Sequence, residues 1–367
     1  MSRCLRRKLN YAFAVRVIFI GNIGGYSQRF LAPLAARSAD PADPVSVVAV
    51  ICPVALDTRS AALSFAIKRR LGKALQRVLK RLTPKLVGAF FDDKTDGLWY
   101  QMQKLAHDAG AIVLWPQKLA EPGVVDQVAV LESDLVIVAG LDRILRARVL
   151  AAFPPILNIH PSLLPEYRGA SPEFWQLDAG CTEGGVTIHV IEAGIDTGPI
   201  VLQRRFPIES WLDADGLVER CIKVGIELTD QLLDGWPEIA ANPTPQVGGS
   251  HQPAPGPEDR LVPFEHSWEA VFNRARAVGF RSPLSVHVPR GGWDGGDATM
   301  QCLRGPNGES IALELYDPVP YPNAVNGRPG QLTRTMGGGA TITCKSGVVE
   351  FRRVVAMADG EIHRPSG

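Results

Sequence analysis

Asn158 and His160 stand two positions apart at the end of a short apolar run, 155–160. If that run is a β-strand, its period of two places both side chains on one face. An amide beside an imidazole can hold a carbonyl oxygen while negative charge develops on it. A carboxylate, Asp196, follows in the loop Gly194-Ile195-Asp196-Thr197-Gly198-Pro199. Such a group beside a histidine fixes its tautomer and favours its protonated form. The three side chains are the parts of an acyl transfer to an amine. Competing chemistries find less support. Ser162 lacks the G-x-S-x-G surroundings of a nucleophile elbow. The histidines are too dispersed for a mononuclear metal set, and His189 reads as structural or as a support to the trio.

These residues need a scaffold that brings strand ends together. Near-continuous β-branched and apolar runs occur at 15–21, 45–53, 111–115, 134–140 and 155–160. Helical periodicity appears between them, as at 98–109. That alternation predicts a parallel sheet covered by helices on both faces, in which ligands bind beyond the carboxyl ends of the strands. The glycine cluster Gly21-Asn22-Ile23-Gly24-Gly25 lacks the G-x-G-x-x-G spacing and reads as a tight strand-to-helix turn. Residues 209–240 read as a helix with Leu217, Cys221, Val224, Leu228 and Leu232 on one stripe.

Composition sets the outer bounds. The 367 residues suggest roughly two domains. Hydrophobic residues make up 46% and charged residues 21%, which excludes a wholly disordered chain. Lys and Arg number 39 against 38 Asp and Glu, a formal net charge of +1, so any nucleic-acid contact must be a local patch. No apolar run reaches the ~18 residues of a membrane span. Arg3, Arg6, Arg7 and Lys8 precede apolar residues, but Arg16 interrupts the run, so residues 1–14 are read as a basic tail and not a signal peptide. Six scattered cysteines without a C-x-x-C signal neither zinc nor a redox pair, and suit a reducing cytoplasm.

One patch does stand out. Residues 63–82 place Ile67, Leu71, Ala74, Leu75, Val78 and Leu82 at helical spacing, with Lys68, Arg69, Arg70, Lys73, Arg77, Lys80 and Arg81 filling the other face. The segment is either a solvated helix face or a contact for polyphosphate or RNA. Further on, residues 242–260 carry five Pro and three Gly. They are read as a linker without regular packing between a catalytic domain, 15–241, and a second domain, 261–367. Beyond it, 268–278 reads as a helix, and short strands recur at 285–288, 311–315, 340–344 and 348–355, which suggests a small barrel or sandwich.

Taken together, Asn158-x-His160, Ser162-Leu163-Leu164-Pro165, Tyr167-Arg168-Gly169, Gly185–Ile188 and Asp196-Thr197-Gly198 resemble, in order and spacing, the signature of formyltransferases that use 10-formyltetrahydrofolate. The likeness covers about 15–210 and implies a Rossmann-like, mostly parallel α/β catalytic domain. It implies that Asn158, His160 and Asp196 are the catalytic trio, with no metal. It also implies a folate pterin held, largely by backbone, between Val138–Leu145 and Ala193–Pro199. The contacts so implied are Val138, Ala139, Gly140, Leu141, Ile144, Ser162, Leu163, Leu164, Pro165, Gly194, Ile195, Thr197 and Gly198.

The acceptor is less sharply marked. Residues 262–357 resemble the OB-like barrel that methionyl-tRNA formyltransferases carry after the catalytic domain. Asn273–Ala277, Arg328–Gln331 and Cys344–Val349 fall in the expected order. This implies initiator methionyl-tRNA as substrate, with Arg168, Lys68, Arg69, Arg70, Lys73 and Arg77 as its contacts. Other features favour a small amine such as a nucleotide-linked aminosugar: Gly21-Asn22-Ile23 where Gly-Thr-Pro is usual, Pro172-Glu173-Phe174-Trp175, and His189. Two further readings stay open, a folate-binding protein without turnover and a hydrolase that releases formate. No membrane and no obligate protein partner is implied.

Overall fold

The computed structural model describes residues 15–53, 93–262, 266–279, 284–289, 298–299, 310–324, 329, 331–335, 337, 339–358 and 361–362. The basic tail and the segment 63–82 lie outside the described residues, and so do Lys68, Arg69, Arg70, Lys73 and Arg77. Contacts divide the chain into two compact units. One is drawn from Met1–His160, Val186–Arg204 and Ile222–Gly248, the other from Pro161–Gly185, Arg205–Cys221 and Gly249–Gly367.

The first unit is built on strands β1 (Val15–Gly21), β2 (Val45–Ile51), β3 (Ile112–Leu114), β4 (Leu135–Ala139) and β5 (Ile156–His160). Helices α1 (Gly25–Ala39), α2 (Asp93–Asp108), α3 (Pro122–Val130) and α4 (Ala147–Ala152) intervene. Strands β7 (Glu183–Val190) and β8 (Ile200–Pro207) complete the sheet in the order β3-β2-β1-β4-β5-β7-β8. Pairings from β3 to β5 are parallel, and β5 pairs antiparallel with β7. The mostly parallel α/β expectation therefore holds, with the parallel run reversing where β7 joins. Its physical basis is burial on both faces. Ile18, Ile20, Ala49, Ile51, Val136 and Val138 pack with Val124, Val128 and Val149 of α3 and α4. On the opposite side, Phe30 of α1 approaches Gly225 so closely that a Cβ there would lie 2.8 Å from its ring.

The strand order reverses between β1 and β4, the switch point at which such sheets open toward ligands. The chain leaves β1 at Gly21, where an added Cβ would meet Ser27 at 2.7 Å and the Ala139 carbonyl at 2.9 Å. Ser27 Oγ donates to the Ala139 carbonyl at 2.7 Å and accepts from the Asn22 amide at 3.0 Å. Gly21–Gly25 is thus a tight turn into α1, as read from its spacing.

Helix α6 (Ala214–Asp234) is shorter than the 209–240 read from the sequence. The Asp213 carboxylate accepts from the Gly216 amide at 3.0 Å at its start, and Gly235 and Pro237 follow its end. No helix among the described residues is long and apolar enough to cross a membrane.

In the second unit, α5 (Pro172–Asp178) packs against α7 (Trp268–Val278), where Arg274 grips the Asp178 carboxylate with two guanidinium nitrogens. Helix α7 also covers an antiparallel sheet through Val271 and Ala275. That sheet runs β10 (Leu284–Pro289), β12 (Ser310–Tyr321), β15 (Gly347–Ala358), β14 (Ala340–Cys344), β13 (Gln331–Arg334), β11 (Ala298–Thr299), with β16 (Glu361–Ile362) against β15. Leu313, Leu315, Ile342, Val349 and Phe351 form its core. The sequence reading stopped β12 at Leu315. The strand continues through Pro318 and Pro320, which lie opposite Phe351 and Val349 of β15, and the two prolines, two apart, turn their nitrogens to one side.

The segment 242–260 is more regular than its composition suggests. Thr244 bridges Ile200, β9 (His251–Gln252) pairs parallel with β6 (Arg168–Gly169), and Pro257–Arg260 forms a 3-10 turn. Proline-rich chain can be held residue by residue where its remaining donors find partners.

Candidate functional site

Strand β5 delivers Asn158 and His160 to its carboxyl end, and the antiparallel register with β7 sets Asn158 opposite His189 and His160 opposite Thr187. Asp196 arrives from the loop after β7. The Asp196 carboxylate lies between two imidazoles, with Oδ2 3.6 Å from His160 Nδ1 and Oδ1 3.5 Å from His189 Nε2. These are ion-pair distances, long for hydrogen bonds, as catalytic contacts often are before substrate closes them. Asn158 Nδ2 lies 3.2 Å from His189 Nε2. The two rings meet edge to face at 6.2 Å. His160 is 3% and His189 1% exposed, so water screens their interactions weakly.

The histidine His189 is the member of this group that motif reading placed outside it. Its Nδ1 lies 3.0 Å from the Val190 carbonyl. A carbonyl only accepts, so Nδ1 carries the proton in the neutral ring and Nε2 offers a lone pair to the Asn158 amide. The signal lay in the register, since only the β5–β7 pairing shows that His189 faces Asn158 across two strands.

The loop that carries Asp196 is tightly specified. Asp196 has φ +53° and Gly194 φ +126°, and the Val190 amide donates to the Pro199 carbonyl at 2.9 Å. A Cβ on Gly198 would lie 1.9 Å from the Val190 carbonyl oxygen. Backbone cannot yield there as a side chain would. Gly198→Ala is expected to cost about 1–3 kcal/mol and to displace Asp196, read as a lowered melting temperature together with lost turnover.

The other residues named from the sequence divide between the two units. In the first, Val138 and Ala139 turn buried side chains into the core, and Gly140 has φ +69°. Leu141 packs against the same core, whereas Ile144 is 72% and Ile195 41% exposed. Thr197 is exposed and Gly198 buried. In the second unit, Ser162 is buried and donates to the Glu166 carbonyl at 2.7 Å, and Leu164 is buried beside the cis bond to Pro165. Leu163 is partly buried, and Arg168 lies in β6. The structure therefore gathers Asn158, His160 and Asp196, adds His189, and leaves Ser162–Pro165 and Arg168 in a separate compact unit.

Burial pushes the Cys52 and Cys221 thiols far up and Cys344 up to about 11, so none of these is a thiolate nucleophile at neutral pH. No group of three or more His, Cys, Asp or Glu among the described residues is placed to hold a metal ion. In Pro172–Trp175, burial raises the Glu173 carboxyl above its usual range, and Trp175 Nε1 donates to the Pro253 carbonyl at 2.9 Å.

An amide, an imidazole and a carboxylate at the carboxyl end of a doubly covered sheet make a site that can hold an oxyanion and manage a proton. The family model described as formyl transferase matches residues 26–231, more than half of the chain, and the chain belongs to that family. It is 31% identical over 247 residues to methionyl-tRNA formyltransferase of Pelobacter propionicus, covering 66% of this chain and 70% of that protein. Over a shorter stretch of 139 residues it is 42% identical to methionyl-tRNA formyltransferase of Roseiflexus castenholzii, covering 37% of this chain and 44% of the relative. Among solved structures, an N-formyltransferase of Helicobacter canadensis in complex with folinic acid and dTDP-3-aminofucose superposes with a TM-score of 0.57 at 16% identity, covering 93% of this chain and 100% of that one. A HypX variant from Aquifex aeolicus superposes at 0.51 and 17% identity, covering 94% of this chain and 45% of that one. At these identities both likenesses are of fold.

Proposed function

We propose that this protein transfers the formyl group of 10-formyltetrahydrofolate to the amino group of initiator methionyl-tRNA. The observation that carries the reading is the convergence of Asn158, His160 and Asp196 at the end of β5 within a formyl transferase domain. The uncharged amine attacks the formyl carbon on folate N10, and the carbonyl oxygen becomes an oxyanion. Asp196 stands beside Nδ1 of His160, and the protonated imidazole is the first donor to that oxygen. The Asn158 amide offers a second donor. Asp196 supports the imidazolium charge and takes up the amine proton through water. The C–N10 bond then breaks, with a proton passing to N10. The exposed apolar side chains of Ile144 and Ile195 stand on the two segments named for the pterin and support apolar walls for it. Folinic acid in the Helicobacter relative supports the same co-substrate.

The acceptor reading draws on the methionyl-tRNA formyltransferase relatives and on the C-terminal antiparallel sheet, which we read as an OB-like barrel that helps hold tRNA. The basic segment 63–82 would meet the acceptor stem. Charge reversal at Arg69, Arg70 and Arg77 is expected to raise the KM for tRNA and to flatten its dependence on salt. Unchanged kinetics in that variant favour the second reading, a small amine such as a nucleotide-linked aminosugar. His189 and the full-length likeness to an enzyme crystallised with dTDP-3-aminofucose support that alternative.

A further inference from the structure

The proline-rich segment beyond the matched family region touches the loop that holds Asp196. Residues 244–246 run back alongside it. Thr244 and Ile200 exchange backbone hydrogen bonds at 2.7 Å in both directions. Two residues further on, Gln246 Nε2 donates to the Asp196 carbonyl at 2.9 Å and to the Gly198 carbonyl at 2.6 Å. A primary amide carries two N–H donors, and here both serve carbonyls on either side of Thr197. The turn they clamp needs holding. Asp196 lies at φ +53°, a left-handed conformation that costs a residue with a Cβ free energy, though less for Asp than for most. The Val190–Pro199 hydrogen bond closes the base of the loop, and the amide of Gln246 closes its tip.

We infer that Gln246 is a positioning residue for Asp196, and that the strap 244–246 belongs to the formyl-transfer site as much as the loop it clamps. The inference rests on the catalytic reading of Asp196 given above. The strap acts through backbone carbonyls, so it sets where the carboxylate points and not whether it is charged. A misplacement of about 1 Å at a reacting group costs on the order of 10²-fold in rate.

Gln246→Met keeps the length of the side chain and removes both donors. Turnover is expected to fall about 10- to 100-fold, with the KM for the acceptor and the melting temperature little changed. Gln246→Asn, shorter by one methylene, reaches one carbonyl and falls between. In an Asp196→Asn background, Gln246→Met is expected to cost less than about twofold, because a residue acting only through Asp196 has nothing left to position. Equal losses in both backgrounds, or wild-type turnover in Gln246→Met, would overturn the inference. Hydrogen exchange of the 195–198 amides is read in the same proteins independently of activity. It is expected to speed up about tenfold in Gln246→Met, and unchanged exchange refutes the strap even if no formyl transfer is found in the wild type.

Discussion

Asn158→Ala is expected to lower turnover by about 10²–10³, the usual loss on removing one oxyanion donor, while the protein stays folded. The side chain is only partly buried, and its amide lies 3.2 Å from His189 Nε2, so truncation costs little of the core. The KM for the folate donor should change little, because the amide acts on charge that appears only in the transition state. Single-turnover transfer and a thermal melt on the same preparation separate the two effects. Near-wild-type turnover in this variant would remove Asn158 from the mechanism.

Asp196→Asn is the second large effect. The substitution keeps shape and removes the negative charge that stands 3.6 Å from His160 Nδ1. Unit charges about 4 Å apart interact by roughly 4 kcal/mol at an effective dielectric of about 20. The Asp196 side chain is 18% exposed, so part of that is screened. About 3–4 kcal/mol converts to a loss of roughly 10²–10³ in rate. The amide also cannot take up the amine proton, so added small carboxylates should restore little. Turnover within about tenfold of wild type would show that the carboxylate is a turn residue and no more.

How legible was this site in the chain? Asn158-x-His160 and the loop 194–199 could be singled out from the chain, because a strand's period of two and glycine-flanked turns are local properties. The strands of the parallel sheet were legible for the same reason. Buried on both faces, each is a continuous apolar run. Strand β8 was not, since at the end of the sheet it alternates half-buried residues with exposed Gln203, Arg205 and Pro207. Gln246 escaped for a different reason, and His189, read from the chain as structural or as a support, could not be set beside Asn158 from spacing alone. Their roles depend on pairings across the fold, one through the register of β5 with β7 and the other through the Ile200–Thr244 bridge. Composition made 242–260 look like a connector and could not show that the Gln246 amide and the Thr244 and Ser250 N–H groups donate to particular carbonyls.

The transfer itself can be measured directly. Purified protein is mixed with 10-formyltetrahydrofolate carrying label in the formyl group and with initiator tRNA charged with methionine, and the label is followed into the RNA. Label is expected on the methionyl amino group, formed at a steady rate by the wild type and at least about 10²-fold more slowly by Asn158→Ala. No label on the RNA, with the folate bound and unconsumed, would contradict formyl transfer to methionyl-tRNA.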